Sequence, residues 1–270
     1  RSTKVTPDIL EAGEHLELII RAGAGYDTID HQSASQHGIR VCNCPGKNSV
    51  AVAELALGLM LALDRRIVDN AVDLRNGVWA KKQYSKARGL KGRTLGIVGL
   101  GRIGYEIARR AAAFDMLLIY CDVVDQRQME QELGLRKLPL EQLLTEADFI
   151  TLHVPGGAGT RHLIGEAQLA MMKPTAFIIN CSRGGVIDEK ALAAAVESGT
   201  IAGAGLDVFE IEPKATDTTF SDPVVKVKNI YGTHHIGAST EQAQLAVADE
   251  VVRIVETVMG GGDPPNCVNI

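Results

Sequence analysis

Aromatic residues make up only 4% of the 270 residues, and tryptophan occurs once, at Trp79. Such a small supply of flat faces argues against a surface built to stack bases. No Lys/Arg block stands out and the net charge is −5, so the electrostatic footprint of a phosphate-backbone binder is missing too. No nucleic-acid partner is expected. The five cysteines are odd in number and include no C-x-x-C pair. That argues against a zinc site or a disulfide framework. No metal is expected, and the free thiols fit a reducing, cytoplasmic setting. Long apolar runs are absent as well. The longest, Leu55 to Leu63, is about half a membrane span. Glu54, Asp64, Arg65 and Arg66 flank it, so it reads as a core helix, and no membrane partner is expected. The opening residues carry no secretory-signal pattern.

What is present is a globular mixture, 46% apolar and 23% charged, with 28 glycines. Short apolar runs alternate with helix-like segments. The runs are Leu95–Val98, Leu117–Tyr120, Phe149–His153, Phe177–Asn180, Ala202–Asp207 and Asn229–Thr233. Helical patterns lie at Arg102–Phe114, Leu140–Ala147, Ala167–Met172 and Asp188–Ser198. Six strands with intervening helices predict an α/β fold, a Rossmann-type doubly wound parallel sheet.

Upstream, Pro7–Gly13 reads as a helix end, Asp30–Gly38 as a helix, and Leu16–Ile20 and Ile39–Cys44 as strands. Two parallel strands make a poor sheet alone, so a continuation of the chain upstream by roughly 50 residues is expected. A helix is predicted from Asn48 or Ser49 to Ile67, followed by a polar stretch, Asp69–Lys91. The closing helix is predicted from Ser239, with Gln242 completing a capping box, to Met259. The predicted organisation is a nucleotide domain of residues 49–259 inserted into a smaller, flavodoxin-like substrate domain. That smaller domain comprises residues 1–48 and 260–270 and lacks its N-terminal part. Helices 49–67 and 239–259 link the two.

Gly99, Gly101 and Gly104 form G-x-G-x-x-G between a predicted strand and a predicted helix. Gly99 permits the turn, Gly101 lets backbone approach a pyrophosphate, and Gly104 lets helix and strand pack closely. The N–H groups of Arg102 and Ile103 then face the anion at a helix N-terminus. Asp122 ends the next strand 18 residues after Gly104. A carboxylate there accepts from ribose hydroxyls and repels a 2′-phosphate, which predicts NAD rather than NADP. Its alternative is a turn or cap residue.

Ligands of open α/β sheets bind beyond the carboxyl ends of the strands. Cys181-Ser-Arg-Gly-Gly185, Val208–Pro213 and His234–Thr240 follow three predicted strands, bringing an Arg, a Glu and a His to one rim. The set suits hydride transfer between a cofactor and a 2-hydroxy/2-oxo acid. Arg183 offers two parallel N–H bonds to a carboxylate and its neighbouring 2-oxygen. A histidine titrating near neutrality, His235 or its neighbour His234, moves the hydroxyl proton. Glu212, or its rival Glu210, holds the imidazole by the other nitrogen and raises its pKa. His153, at another strand end, is a second acid or a core histidine. His15, His31, His37 and His162 read as surface or structural.

Gly99–Gly104, Asn180–Asp188, Leu206–Pro213 and His235–Thr240 resemble the signatures of the D-isomer-specific 2-hydroxyacid dehydrogenases, and the likeness covers essentially the whole chain. Within that family, Arg1–Thr6, Arg21–Asp30, Pro45–Ser49 and Asn266–Asn269 look most like the branch that acts on D-3-phosphoglycerate. The resemblance implies NAD-dependent oxidation of D-3-phosphoglycerate to 3-phosphohydroxypyruvate, the first step of phosphorylated serine biosynthesis. It selects Glu212 and His235 over their rivals. It implies that Ala24 and Gly25 hold the substrate carboxylate, that Asn48 contacts substrate, and that Arg1 and Arg21 reach its phosphate. Around the cofactor it adds His153, Pro155, Cys181, Ser182, Asp207, Gly237 and Ala238.

The resemblance also implies a homodimer or homotetramer built through the nucleotide domain, with the Val50–Leu63 helix and the segment after it facing a second copy. Longer members carry a C-terminal serine-binding module. The chain ends at Ile270, so inhibition by serine is not expected. Two departures stand out. His234 replaces the usual proline, which predicts a less rigid loop, and Gly156-Gly157 replaces bulkier residues, which bears on the fit over the cofactor. The alternatives are a hydroxypyruvate/glyoxylate reductase and, in another class, an NAD-sensing corepressor-like scaffold.

Overall fold

The computed structural model describes residues 3–213 and 216–269. Arg1, expected at the substrate phosphate, lies outside them. The chain divides into two compact units. One holds the residues up to Ala51 and from Ala238 onward; the other holds Val52–Pro213 and Asp217–Gly237.

The first unit opens with α1 (Pro7–Glu11), where Pro7 takes a first-turn position that needs no N–H. Then come β1 (Leu18–Arg21), α2 (His31–Gln36) and β2 (Arg40–Asn43). Asp30 caps α2 by accepting from Ser33 N–H at 2.8 Å. β1 and β2 are parallel, with Leu18 opposite Arg40 and Arg21 opposite Asn43. Leu10, Ile29, Ala34, Ile39 and Val41 form the core between the two helices and the strands. α3 (Ser49–Arg65) carries the chain into the second unit.

The stretch after α3 is more ordered than its polar composition suggested. Arg66 adopts a left-handed backbone, φ 49°, which ends α3. α4 (Ile67–Arg75) and α5 (Lys81–Tyr84) follow.

The second unit then runs β3 (Thr94–Val98), α6 (Arg102–Ala113), β4 (Leu117–Cys121), α7 (Arg127–Leu133), β5 (Arg136–Lys137), α8 (Leu140–Glu146), β6 (Phe149–Leu152), α9 (Glu166–Met171), β7 (Phe177–Asn180), α10 (Glu189–Glu197) and β8 (Gly203–Leu206). A 3₁₀ turn at Pro223–Lys226 precedes β9 (Ile230–Gly232). The sheet is parallel throughout, in the order β5-β4-β3-β6-β7-β8-β9. It has seven strands rather than the six expected. The extra one, β5, is a two-residue edge strand of Arg136 and Lys137 with no apolar run to announce it.

Successive side chains of a strand point to opposite faces, and here both faces are covered. Phe149 and Ile179 join Ile97, Ile107, Tyr120 and Met60 on one side. Ile150 and Ile178 join Leu143, Leu192 and Ala204 on the other. Each fully buried Leu or Ile contributes about 1.5–3 kcal/mol relative to exposure. Strand order reverses between β3 and β6, so the loops after those strands flank the crevice where such sheets bind ligands.

The chain returns to the first unit with α11 (Glu241–Met259). Its cap is Thr240, whose Oγ1 accepts from Ala243 N–H at 3.2 Å, not Ser239. The backbone is still extended at Thr240, so the third helical position falls on Ala243, which cannot reach back, and the expected capping box does not form. Val247 and Ile254 of α11 pack with Cys42 and Cys44. The unit boundary therefore falls at Ala238, and 239–259 groups with the smaller unit rather than with the nucleotide domain. The closing segment adds to β2, with Val268 N–H donating to Val41 C=O at 2.8 Å and Val41 N–H to Asn269 Oδ1 at 2.7 Å. Glu250 is buried among Lys47 (3.1 Å), Arg253 (2.5 Å) and Asn266 (2.6 Å). The Arg253 hydrogen bond, followed by those of Lys47 and Asn266, outweighs burial and lowers its pKa to about 2.

Among the described residues, no helix is long and apolar enough to cross a membrane, and no group of three metal-ligating side chains converges.

Candidate active site

Each glycine of the loop after β3 has its own reason to be glycine. Gly99 has φ +93°, and a Cβ there would lie 2.7 Å from His153 C=O. At Gly104 a Cβ would meet Gly99 C=O at 2.3 Å, so helix α6 sits directly on the turn. At Gly101 nothing lies within 4 Å. The space a Cβ would fill is open, directly at the N-terminus of α6, and no side chain caps that end. The N–H groups of Arg102 and Ile103 belong to that first turn. Asp122 accepts from Leu100 N–H at 2.7 Å and from Val124 N–H at 2.9 Å. It is thus a turn residue as well as the acid at the end of β4. Each carboxylate oxygen keeps a further lone pair for a ribose hydroxyl. Open cradle, helix terminus and acid together fit a dinucleotide.

At the ends of β7, β8 and β9 stand Arg183, Glu212 and His235. The Nδ1 of His235 contacts Glu212 Oε2 at 2.8 Å. This hydrogen bond, helped by the Glu212 and Asp207 charges, raises the imidazole pKa against burial and the Arg183 charge. Burial pushes the Glu212 carboxyl up. The hydrogen bond and charge of His235, the Phe209 N–H at 3.3 Å and the charge of Arg183 together bring it below its ordinary value. Of the rivals, Glu210 pairs with Arg161 at 2.5 Å and with His162 at 3.3 Å, and His234 is exposed, as His235 is.

His235 has a left-handed backbone, φ 53°, uncommon for a residue with a side chain. Asp207 holds it there. This carboxylate is 1% exposed and accepts from Thr233 Oγ1 (2.6 Å), Ile236 N–H (2.8 Å) and Gly237 N–H (2.8 Å). Expected at the cofactor, Asp207 also fixes the histidine loop. Asn180 does the same for the arginine. It is 2% exposed, accepts at Oδ1 from Ser182 N–H (3.0 Å) and Ser182 Oγ (2.8 Å), and donates from Nδ2 to Arg183 C=O (2.9 Å). Sequence reading missed Asn180 and Thr233 as supports. A polar residue ending an apolar strand was the available signal.

Gly156, one of the two departures, lies under Arg183: a Cβ there would sit 3.1 Å from Arg183 Cγ. A cavity of about 210 Å³ opens beside this turn, lined by Gly156, Thr160, Arg161, Gly184 and Gly185. Pro155 C=O accepts from Thr160 Oγ1 at 2.6 Å, closing the loop. His153 has a protein partner on one ring nitrogen and, among the described residues, none on the other. Its Nε2 meets Thr151 Oγ1 at 2.8 Å, its Nδ1 is buried, and burial lowers its pKa to about 3, so the ring stays neutral. Cys181 and Ser182 are buried, and burial raises the Cys181 thiol.

The residues implied for substrate fall in the first unit, except Arg183 and His235. The Ala24 carbonyl accepts from Asn43 Nδ2 at 2.6 Å, and Gly23 C=O from Cys44 N–H at 2.9 Å, which fixes the loop carrying Ala24 and Gly25. The Arg21 guanidinium folds over that loop, with Nη1 donating to Ala22 C=O at 2.8 Å. Asn48 Oδ1 is buried without a hydrogen-bond partner among the described residues, an acceptor waiting for a donor.

Residues 57–237 match the domain described as "D-isomer specific 2-hydroxyacid dehydrogenase, NAD binding domain". The chain belongs to the D-isomer-specific 2-hydroxyacid dehydrogenase family. It is 45% identical over 269 residues to a D-3-phosphoglycerate dehydrogenase of Methanocaldococcus jannaschii, covering 99% of this chain and 50% of that one. The chain thus spans about half the length of that relative. It is 46% identical to a hydroxypyruvate reductase of Thermotoga maritima, covering 96% of this chain and 83% of the relative. Among solved structures, the D-lactate dehydrogenase of Aquifex aeolicus complexed with NAD and lactic acid superposes with a TM-score of 0.87 at 32% identity, covering 96% and 80% of the two chains.

Proposed function

We propose that the chain works as an NAD-dependent dehydrogenase of D-2-hydroxy acids, with D-3-phosphoglycerate as substrate and 3-phosphohydroxypyruvate as product. The 2.8 Å bond from Glu212 to His235 carries the reading, because it builds an acid/base on the rim that holds Arg183. NAD, when bound along the Gly99–Gly104 loop, supplies the hydride acceptor. Arg183 binds the substrate carboxylate and 2-oxygen. With Nδ1 occupied by Glu212, the Nε2 of His235 takes the hydroxyl proton in oxidation and returns it in reduction. Glu212 favours the protonated ring that reduction needs. Robust turnover abolished in His235→Ala supports an enzyme over a cofactor-sensing scaffold.

Support for the phosphate comes from Arg21 and from the likeness to the archaeal phosphoglycerate enzyme. Similar identity to hydroxypyruvate and glyoxylate reductases supports a second reading, a reductase of unphosphorylated 2-oxo acids. A panel of 2-hydroxy and 2-oxo acids with and without a 3-phosphate, at fixed NAD(H), separates them. A charge-assisted bond to phosphate is worth about 1.5–3 kcal/mol, so Arg21→Ala is expected to raise KM for the phosphorylated substrate about 10- to 100-fold. An unchanged KM refutes the pocket. For assembly, Ile67, Val68, Val72, Leu74, Val78 and Trp79 follow α3 as exposed apolar residues. They support a second copy on this face. Light scattering of the protein and of Trp79→Glu tests it: a dimer that dissociates in the variant is expected, and a monomeric parent refutes it.

A further inference from the structure

Glu189 is a buried carboxyl that the chemistry above leaves without a task. It is the first residue of α10 and only 8% exposed. The helix start beneath it is firm, because Asp188 caps it by accepting from Ala191 N–H at 3.0 Å. Its Oε1 accepts from the backbone N–H of Glu210 at 2.6 Å. Glu210 lies in the loop after β8 that carries Glu212. That loop is pressed against the arginine turn: a Cβ on Gly184 would lie 1.8 Å from Phe209 C=O. Its outer side is held by Glu210, whose carboxylate pairs with Arg161 at 2.5 Å and His162 at 3.3 Å. Glu212 folds back on the same loop, accepting from Phe209 N–H at 3.3 Å, and reaches His235 at 2.8 Å. Among the described residues, the Glu189 contact ties this loop's backbone to a regular helix.

We propose that Glu189 is a positioning residue for the His235–Glu212 pair, acting through the Glu210 N–H to fix the loop that aims Glu212 at the imidazole. The proposal rests on the reading of His235 as the acid/base. Carboxylates face Glu189 from two further elements: Asp222 at the 3₁₀ turn, and Glu210 and Glu212 in the loop. The cations nearby, Arg161 and His162, pair with Glu210, and His162 also lies 3.8 Å from Asp188. Burial first, then those three carboxylates, raises the Glu189 pKa to about 7 against the Glu210 N–H bond. Both protonation states keep an oxygen that accepts from Glu210 N–H. A neutral amide can therefore replace the carboxyl in this task, whereas a methyl group cannot.

The test compares Glu189→Ala with Glu189→Gln. In Glu189→Ala the Glu210 N–H loses its acceptor, the loop relaxes, and Glu212 no longer holds its place against His235. The pKa governing the pH profile of 2-oxo-acid reduction is expected to fall by about one unit toward the ordinary imidazole value. kcat is expected to fall about 10- to 100-fold, as for an ångström-scale misplacement, with the Kd for NADH unchanged. Glu189→Gln is expected to restore the parent pKa. A merely structural role would lower the melting temperature of Glu189→Ala and leave that pKa where it was, which overturns the proposal. If Glu189→Ala does not fold, Glu189→Asp keeps the charge but is one methylene short of the Glu210 N–H. The same fall is expected there, and an unmoved pKa refutes the idea.

The His235 imidazole is also titrated by NMR in each variant, assigned by loss of its signal in His235→Asn. That measurement needs no turnover. A parent protein inactive on every 2-oxo acid defeats the dehydrogenase reading. Equal imidazole pKa values in the parent and Glu189→Ala defeat the positioning role instead.

Discussion

Replacing Glu212 by glutamine removes the charge and, with the amide oxygen kept toward His235, turns an NH₂ toward the Phe209 N–H at 3.3 Å, a long and weak bond to lose. The amide has nearly the same shape and keeps an oxygen that can accept from His235 Nδ1, so the ring keeps its tautomer. The bond it replaces is 2.8 Å long and charge-assisted, a class worth about 1.5–3 kcal/mol. His235 is 53% exposed and Glu212 34%. Water screens such a pair, so the bottom of that range applies, about 1.5 kcal/mol. Since 1.36 kcal/mol is about one pKa unit, Glu212→Gln is expected to lower the imidazole pKa by about one unit.

The direction of the rate effect follows from the raised pKa of His235. The protonated ring that reduction needs is present below that pKa and is lost as pH rises through it. In Glu212→Gln the loss comes about one unit earlier. Reduction is then about tenfold slower than in the parent above both pKa values, and equal to it below both. Oxidation needs the neutral ring and gains activity as pH rises, so its acid limb moves down in pH by the same amount. NADH absorbance, followed in both directions across pH, reads all of this. A uniform fall in rate with both limbs in place would refute the reasoning, because Glu212 would then act by geometry rather than charge.

Asp207→Asn turns an acceptor for three donors into a group whose NH₂ faces the Gly237 N–H or the Ile236 N–H. Loss of about 1.5–3 kcal/mol of stability and a kcat reduced at least about tenfold are expected, read by calorimetry and steady-state kinetics. A variant with parental kcat would mean that His235 holds φ 53° without that support. Gly101→Ala separates binding from folding. Its Cβ meets no protein atom within 4 Å, so the melting temperature is expected to hold while the Kd for NADH rises about tenfold or more. An unchanged Kd would place the pyrophosphate elsewhere. Glu250→Gln leaves Lys47 and Arg253 without their buried partner, at a cost of about 3 kcal/mol at neutral pH. Because the folded pKa of Glu250 is lowered to about 2, its contribution is present above the unfolded value near 4.3 and is lost as pH falls through about 2. Acid unfolding curves of parent and variant should converge below that pH, and parallel curves would contradict the assignment.

Much of the second unit was legible because its signals are local. A buried parallel strand needs a short apolar run, and such runs mark β3, β4, β6, β7, β8 and β9 to within a residue or two. β5 is two charged edge residues and α4 carries a weak apolar pattern, so neither announces itself. The rim that carries the candidate site was legible for a topological reason: in an open parallel sheet, whatever follows the strands shares one edge. That rule brought Arg183, a glutamate and a histidine together but could not choose between Glu210 and Glu212, or between His234 and His235. What distinguishes the candidates in the fold is the Glu212–His235 contact and Glu210 turning to Arg161, and both depend on contacts between loops distant in sequence.

The two departures from the family pattern divide along the same line. His234 in place of proline predicted a loose loop, yet Asp207, some thirty residues earlier, grips that loop from beneath through Ile236 and Gly237, with bonds of 2.8 Å each. Gly156, with Gly157, was expected to bear on the fit over the cofactor. In the fold it is the residue whose missing Cβ leaves room for the Arg183 stem, so a larger side chain at that position would crowd the guanidinium's support.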